Sequence, residues 1–309
     1  MQPWKHIRVR HRYDCPLRWA DLDLLGHINN VRYVDYLQEA RAALLRDCLH
    51  AAGVERAEGT GYVVVRHEIS FVAPLRFGSR PVAIESWVSE IRPATFTLDH
   101  EIFHEGLEGE RIVYLRARTV LAAFTPATGD PRRLGDAERE ALAPYAEPGP
   151  RALPVRVDVP RDDAVHYPVQ VRFSDIDIYR HVNNVTYVEY FQESRIALMR
   201  RVREALRGFP RIGVVVAQTD IEYVAPMTLR AQPYDCWSVV TRVGTKSMTI
   251  ESELVDDAAA ERRVFARARV ILVFFDADTQ RSVLPPPGYR EAIVGALGRA
   301  VAGSARRGS

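Results

Sequence analysis

The chain has 309 residues, with 42 Lys and Arg against 40 Asp and Glu for a formal charge of +2. That length suggests two domains, and 47% hydrophobic with 27% charged residues excludes a disordered or fibrous protein. The balanced charge argues against a nucleic-acid partner. No run approaches the ~18 apolar residues of a membrane span, and Met1 to Tyr13 has no apolar leader, so the expected location is cytoplasmic, with no membrane partner.

In chain order, a short extended run over Cys15–Trp19 is expected to lead into an Asp-rich loop. A helix should begin near Asn30, because Tyr33, Leu37, Ala40, Leu44 and Cys48 recur at spacings of three and four and share one face. Period-two alternation and β-branched residues then predict strands over Tyr62–Val65, Glu68–Val72, Val82–Glu90, Thr95–Phe103 and Arg111–Phe124. A connection follows with Pro144, Pro148, Pro150, Pro154 and Pro160, a composition suited to an extended surface path. The order then restarts with an extended run over Val169–Phe173 and a second Asp-rich loop. From about Asn184 a second helix should carry Tyr187, Phe191, Ser194, Leu198 and Val202 on its apolar face.

One helix and a run of mainly antiparallel strands in each half predict an α+β fold with the helix against the sheet. The expected boundaries are residues 1–145 for a first domain, 146–165 for the linker, 166–290 for a second domain and 291–309 for a partly disordered tail.

The two halves are copies. Arg18–Arg41 (RWADLDLLGHINNVRYVDYLQEAR) aligns without a gap to Arg172–Arg195 (RFSDIDIYRHVNNVTYVEYFQESR), and 13 of the 24 positions are identical. Phe71-Val-Ala-Pro74 recurs as Tyr223-Val-Ala-Pro226, and Arg116-Ala-Arg118 as Arg267-Ala-Arg269. Of the nine histidines only His27 and His181 correspond; His67 meets Thr219 and His100 meets Ser252. None of Cys15, Cys48 and Cys236 has a counterpart, which argues against a cysteine nucleophile, and three widely spaced cysteines fit neither a disulfide framework nor a CxxC zinc site. Lysine occurs only at Lys5 and Lys246, and the only asparagines are Asn29, Asn30, Asn183 and Asn184. In a chain so poor in Lys and Asn, the retained asparagines point to a function for the loop.

The repeated unit Asp-x-Asp-x-x-x-His-x-Asn-Asn sits just before a helix start. A helix N-terminus offers unpaired N–H groups and partial positive charge that can stabilise an oxyanion. A carboxylate beside it makes a minimal acyl-transfer site, and a thioester suits it because the thiolate leaves without much acid assistance. Simpler roles compete. The Asn-Asn pair can be a helix cap, and Asp21 and Asp175 can be structural partners of Arg18 and Arg172. The loop offers few metal ligands and lacks the glycine of a calcium loop. Glu39 with Arg41, and Glu193 with Arg195, read as structural ion pairs within the helices, and Arg116 and Arg118 as strand arginines that could meet a phosphate.

The pattern resembles the signature of hotdog-fold thioesterases of the 4-hydroxybenzoyl-CoA thioesterase type, from about Tyr13 to Leu134 and from Tyr167 to Pro285. The resemblance implies two hotdog domains in tandem, each an antiparallel sheet wrapped around a long helix, with active sites at the seam between hotdog units. It places the catalytic carboxylate on Asp23 and Asp177, and the N–H that polarises the thioester carbonyl on Asn30 and Asn184. It gives His27 and His181 a role in orienting the Asp or the substrate. Asn29, Asn183, Thr95, Lys246 and Ser247 are implied substrate-binding positions, Thr95 and Lys246-Ser247 near the bound CoA.

The implied activity is hydrolysis of acyl-CoA, with no metal or redox cofactor, and a homo-oligomer of tandem chains fits the family. Acyl-ACP thioesterases share the tandem plan, but they generally carry Asn two residues before the His, where this chain has Leu25 and Tyr179. A hotdog that binds acyl-CoA without turnover, and a dehydratase or hydratase, are the other readings. Gly26 of the first copy becomes Arg180 in the second, which favours the first as the catalytic copy and makes the second an altered site or a phosphate contact.

Overall fold

The computed structural model describes residues 9–51, 61–151, 154–157, 159–259, 261–276, 279 and 281–297. The chain divides into two compact units, Met1–Leu153 and Pro154–Ser309. Among the described residues no helix is long and apolar enough to cross a membrane.

In the first unit, strand β1 (His11–Cys15) precedes the long helix α1 (Asn30–Ala51), which is followed by β2 (Gly61–Phe71), β3 (Val82–Ile91), β4 (Thr95–Glu105), β5 (Arg111–Phe124) and a short helix α2 (Asp136–Leu142). The antiparallel order is β1-β3-β4-β5-β2. The five residues predicted for the apolar face of α1 are all buried. Its far end packs Leu44 and Cys48 against Val88, Phe96, Leu98 and Leu121 of the sheet. The sheet therefore wraps the helix as a hotdog.

The second unit repeats the plan with β6 (Val165–Val169), α3 (Asn184–Ala205), β7 (Gly213–Tyr223), β8 (Tyr234–Val243), β9 (Ser247–Asp256), β10 (Arg263–Asp276), the short β11 (Arg281–Ser282) and α4 (Tyr289–Leu297). Its order is β6-β8-β9-β10-β7, with β11 on β10. The class is α+β, as expected.

Several elements differ from the sequence reading. The strands predicted over Tyr62–Val65 and Glu68–Val72 are one strand, β2, whose register shifts between Val64 and Arg66. That bulge breaks the period-two pattern without ending the strand. The extended runs expected over Cys15–Trp19 and Val169–Phe173 lie earlier, in β1 and β6, while Trp19–Asp21 and Phe173–Asp175 form 3-10 turns. Residues 291–297 of the expected tail belong to α4, whose Tyr289, Ile293 and Leu297 pack on Leu198, Val202, Met248 and Phe274; residues 298–309 lie outside the described ones. The connection begins bound to the first unit, where Glu147 N–H and Gly149 N–H donate to Val88 and Ser89 carbonyls of β3.

The repeated strand arginines have a structural task. Register places Arg116 opposite Glu101 and Arg118 opposite Asp99, and Arg267 opposite Glu253 and Arg269 opposite Glu251. Arg118 grips Asp99 through two bonds of 2.8 and 2.7 Å, and the other three each reach their carboxylate within 3.2 Å. Cross-strand pairing, not an incoming phosphate, accounts for all four. Glu39 and Glu193, expected to pair with Arg41 and Arg195 within the helices, face solvent. Burial pushes the Arg195 guanidinium down to about 10.

Candidate active site

The loop before α1 is built by Asp21 and Asp23 facing different ways. Asp21 is 4% exposed and accepts Tyr36 Oη–H at 2.7 Å and Arg18 Nε–H at 3.0 Å on Oδ2. Its role is structural. In the second copy Asp175 accepts Tyr190 Oη–H at 2.7 Å, but its bond from Arg172 comes from the backbone N–H, not the guanidinium. Burial and the facing carboxylate raise the pKa of both tyrosines, so each hydroxyl stays a donor. Tyr36→Phe is expected to cost about 2 kcal/mol in a urea melt, the loss of a buried hydrogen bond to a charged group. Arg18→Ala should cost no more than about 1 kcal/mol, because Arg18 is solvent-exposed.

Asp23 is held differently. Its own N–H donates to the His27 carbonyl at 2.7 Å, and Oδ1 accepts Leu25 N–H and His27 N–H at 2.8 and 3.1 Å. This closes a five-residue turn in which Gly26 takes φ +74°, the left-handed region. Among the described residues Oδ2 receives no hydrogen bond, and the residue is only half-buried. Asp177 repeats the arrangement, with its N–H to the His181 carbonyl at 2.8 Å and Oδ1 accepting Tyr179 N–H and His181 N–H at 2.8 and 3.2 Å. In both copies the bond from the histidine to the Asp comes from the backbone, not the ring.

The loop is locked to the helix start. Asn29 N–H donates to the Asp21 carbonyl at 2.8 Å, and Asn29 Oδ1 accepts Val31 N–H at 2.9 Å. Asn183 does the same with Asp175 at 2.8 Å and Val185 at 3.1 Å. Asn29 and Asn183 are therefore helix caps. Asn30 and Asn184 are the first helical residues, whose N–H groups have no intrahelical acceptor.

A second brace lies beyond the reach of the sequence reading. Tyr33 Oη accepts Leu75 N–H at 3.1 Å while Ile28 N–H donates to the Leu75 carbonyl, and Tyr187, Met227 and Val182 repeat both bonds. Burial pushes Tyr33 up to about 12. The repeat carries a signal for it, since Tyr33 and Tyr36 are among the identical positions.

Asp, His and the two Asn thus come together in each unit. Thr95, Lys246 and Ser247 do not join them within their own unit. Thr95 precedes Phe96, which packs beside Leu44 and Cys48, and Ser247 precedes Met248, which packs beside Leu198 and Val202. Those are the C-terminal turns of 22-residue helices, about 30 Å long, whose other ends carry the loops. The three cysteines are buried free thiols whose pKa burial raises, to about 11 for Cys15 and Cys48 and about 12 for Cys236, so none is a thiolate nucleophile.

Known proteins share this architecture. A candidate oleoyl thioesterase from Lactobacillus plantarum superposes with a TM-score of 0.67 at 16% identity, over 87% of this chain and 98% of that one. A 12:0-ACP thioesterase from Umbellularia californica gives 0.68 at 15% identity, over 86% and 94%. At such identities the likeness establishes the fold. An uncharacterised Bacillus subtilis protein, YsmA, is 28% identical over 106 residues, 32% of this chain and 69% of that protein. The model of the thioesterase-like superfamily matches twice, at residues 17–141 and 171–293. The chain belongs to the thioesterase-like superfamily, as a thioester hydrolase with one such domain in each half.

Proposed function

We propose that the protein hydrolyses acyl-CoA to the free acid and CoA, with Asp23 and Asp177 as the reacting carboxylates. The observation that supports this is their shared geometry. Oδ1 is spent on two backbone N–H groups, Oδ2 is left open, and the loop is tied to the start of a helix.

Oδ2 either attacks the thioester carbonyl carbon and expels the thiolate, leaving a mixed anhydride that water then hydrolyses to regenerate the carboxylate, or takes a proton from a water that itself attacks the carbonyl; both routes consume one water and end in acid plus thiol. The negative charge that develops on the carbonyl oxygen is met by the N–H of Asn30 or Asn184. His27 and His181 act as positioning residues, since their backbone N–H groups orient the carboxylate. Asn29 and Asn183 hold the helix start in place.

A second reading takes acyl-ACP as the substrate, favoured by the structurally similar Umbellularia californica protein named for that carrier. Leu25 and Tyr179, where those enzymes generally carry Asn, favour CoA. Thiol release from acyl-CoAs of short, long and aromatic acyl groups, beside matched acyl-ACPs, separates the readings. A higher kcat/KM on CoA esters is expected. Faster ACP turnover would replace the carrier, and tight acyl-CoA binding with no thiol release would make the protein a binder.

A further inference from the structure

Arg180 is the only non-glycine residue among the described ones with φ in the left-handed region, at +63°. Its counterpart Gly26 takes φ +74°, and a Cβ built there meets nothing within 4 Å. Packing therefore does not demand glycine at this turn; backbone strain alone does, and the second copy accepts that strain to carry a long cation. Nothing among the described residues repays it. The Arg180 side chain is exposed, and among the described residues its guanidinium makes no hydrogen bond or ion pair, even with Asp177 three residues away. A strained position that holds an unpaired guanidinium on the same turn as the open carboxylate points to an anion that arrives with the substrate.

We infer that Arg180 is a specificity-determining residue that binds a phosphate of the thiol carrier at the second copy's site, a contact the first copy lacks. A phosphate is the anion every such substrate brings, because the pantetheine arm ends in one both in CoA and on a carrier protein. Guanidinium and phosphate pair through charge-assisted bonds. The two copies would then differ in carrier affinity while sharing the same carboxylate geometry. This rests on the reading that Asp177 heads a thioester site.

Calorimetric titration of CoA, 4′-phosphopantetheine and pantetheine into the full chain and into Arg180→Gly tests it. In Arg180→Gly, CoA and phosphopantetheine affinity relative to pantetheine is expected to fall about tenfold at one of the two sites, and the thermal midpoint should rise as the strain is released. A raised midpoint with unchanged relative affinity would show an idle cation and overturn the inference. Equal weakening of all three ligands would mean a reshaped loop and would overturn it as well. So would a KM effect confined to pantetheine thioesters with a carboxylate on the acyl group. Absence of turnover in Asp23→Asn would defeat the reading of Asp177 as a reacting group, while the titration would still decide the role of Arg180.

Discussion

Replacing Asp23 and Asp177 together by Asn is expected to lower kcat for thiol release by about 10³-fold, with little change in fold. The loss follows from what Asn can and cannot replace. An amide oxygen still accepts the Leu25 and His27 N–H groups at Oδ1, so the turn closes. The second atom becomes an NH₂, which neither attacks a carbonyl nor takes a proton from water. General acid–base groups contribute roughly 10²–10⁴-fold, and here one carboxylate does that work in each copy. The single variants divide the effect between the copies. If both are active, each single change removes its own share and roughly half the rate survives at saturating substrate. If only the first is active, Asp23→Asn alone gives the full loss. An undiminished rate in the double variant, with its circular dichroism unchanged, would remove both aspartates from the chemistry. Asp21→Asn is the contrasting case, because Asp21 is buried under Tyr36 and Arg18; its cost should appear in stability first.

How much of this is legible in the sequence depends on whether a residue's task is local. The turn Asp23-x-x-x-His27 and the caps at Asn29 and Asn183 are made within a few residues, and the repeat displays them in sequence. Tyr36 reaches back fifteen residues to Asp21, and Tyr33 reaches forward to Leu75. Both positions stand out as repeated, but only the fold shows what they touch. Arg116 and Arg118 are ambiguous for a related reason, since their partners Glu101 and Asp99 are set by strand register. Helix α4 escapes the sequence reading although Tyr289, Ile293 and Leu297 are four apart, because one short apolar stripe near a chain end is weak evidence for a helix.

The places where the copies disagree carry a prediction of their own. Inside the first unit His67 and His100 lie beneath α1 on adjacent rows of the sheet, fully buried. Thr119 is paired with His67 Nδ1 at 3.1 Å and Ser86 with His100 Nδ1 at 2.8 Å. Burial first, then the nearby Arg41 guanidinium, drives both imidazoles down, His100 to about 3 and His67 well below its ordinary value. The second unit has Thr219 and Ser252 at these positions, and Ser194 in place of Ala40 completes a hydroxyl chain to Ser238 and Ser252 with links of 2.7 Å.

The native histidines are neutral, whereas in the unfolded chain they take up protons below about pH 6.5. The native state of the first unit therefore keeps its full stability above that pH and loses it as the pH falls, by about 1.4 kcal/mol per pH unit for each histidine. At pH 5.5 the pair costs roughly 3 kcal/mol. Burial raises the Asp220 carboxyl in the second unit, which acts in the opposite direction. Hydrogen exchange at pH 7.5 and 5.5, corrected for intrinsic rates, should show protection falling in β2 and β4 but not in β7 and β9. The triple variant Ala40→Ser/His67→Thr/His100→Ser, which writes the second unit's interior into the first, should abolish the difference. Equal acid sensitivity of the two units, or a difference that survives in the triple variant, would place the titrating groups elsewhere.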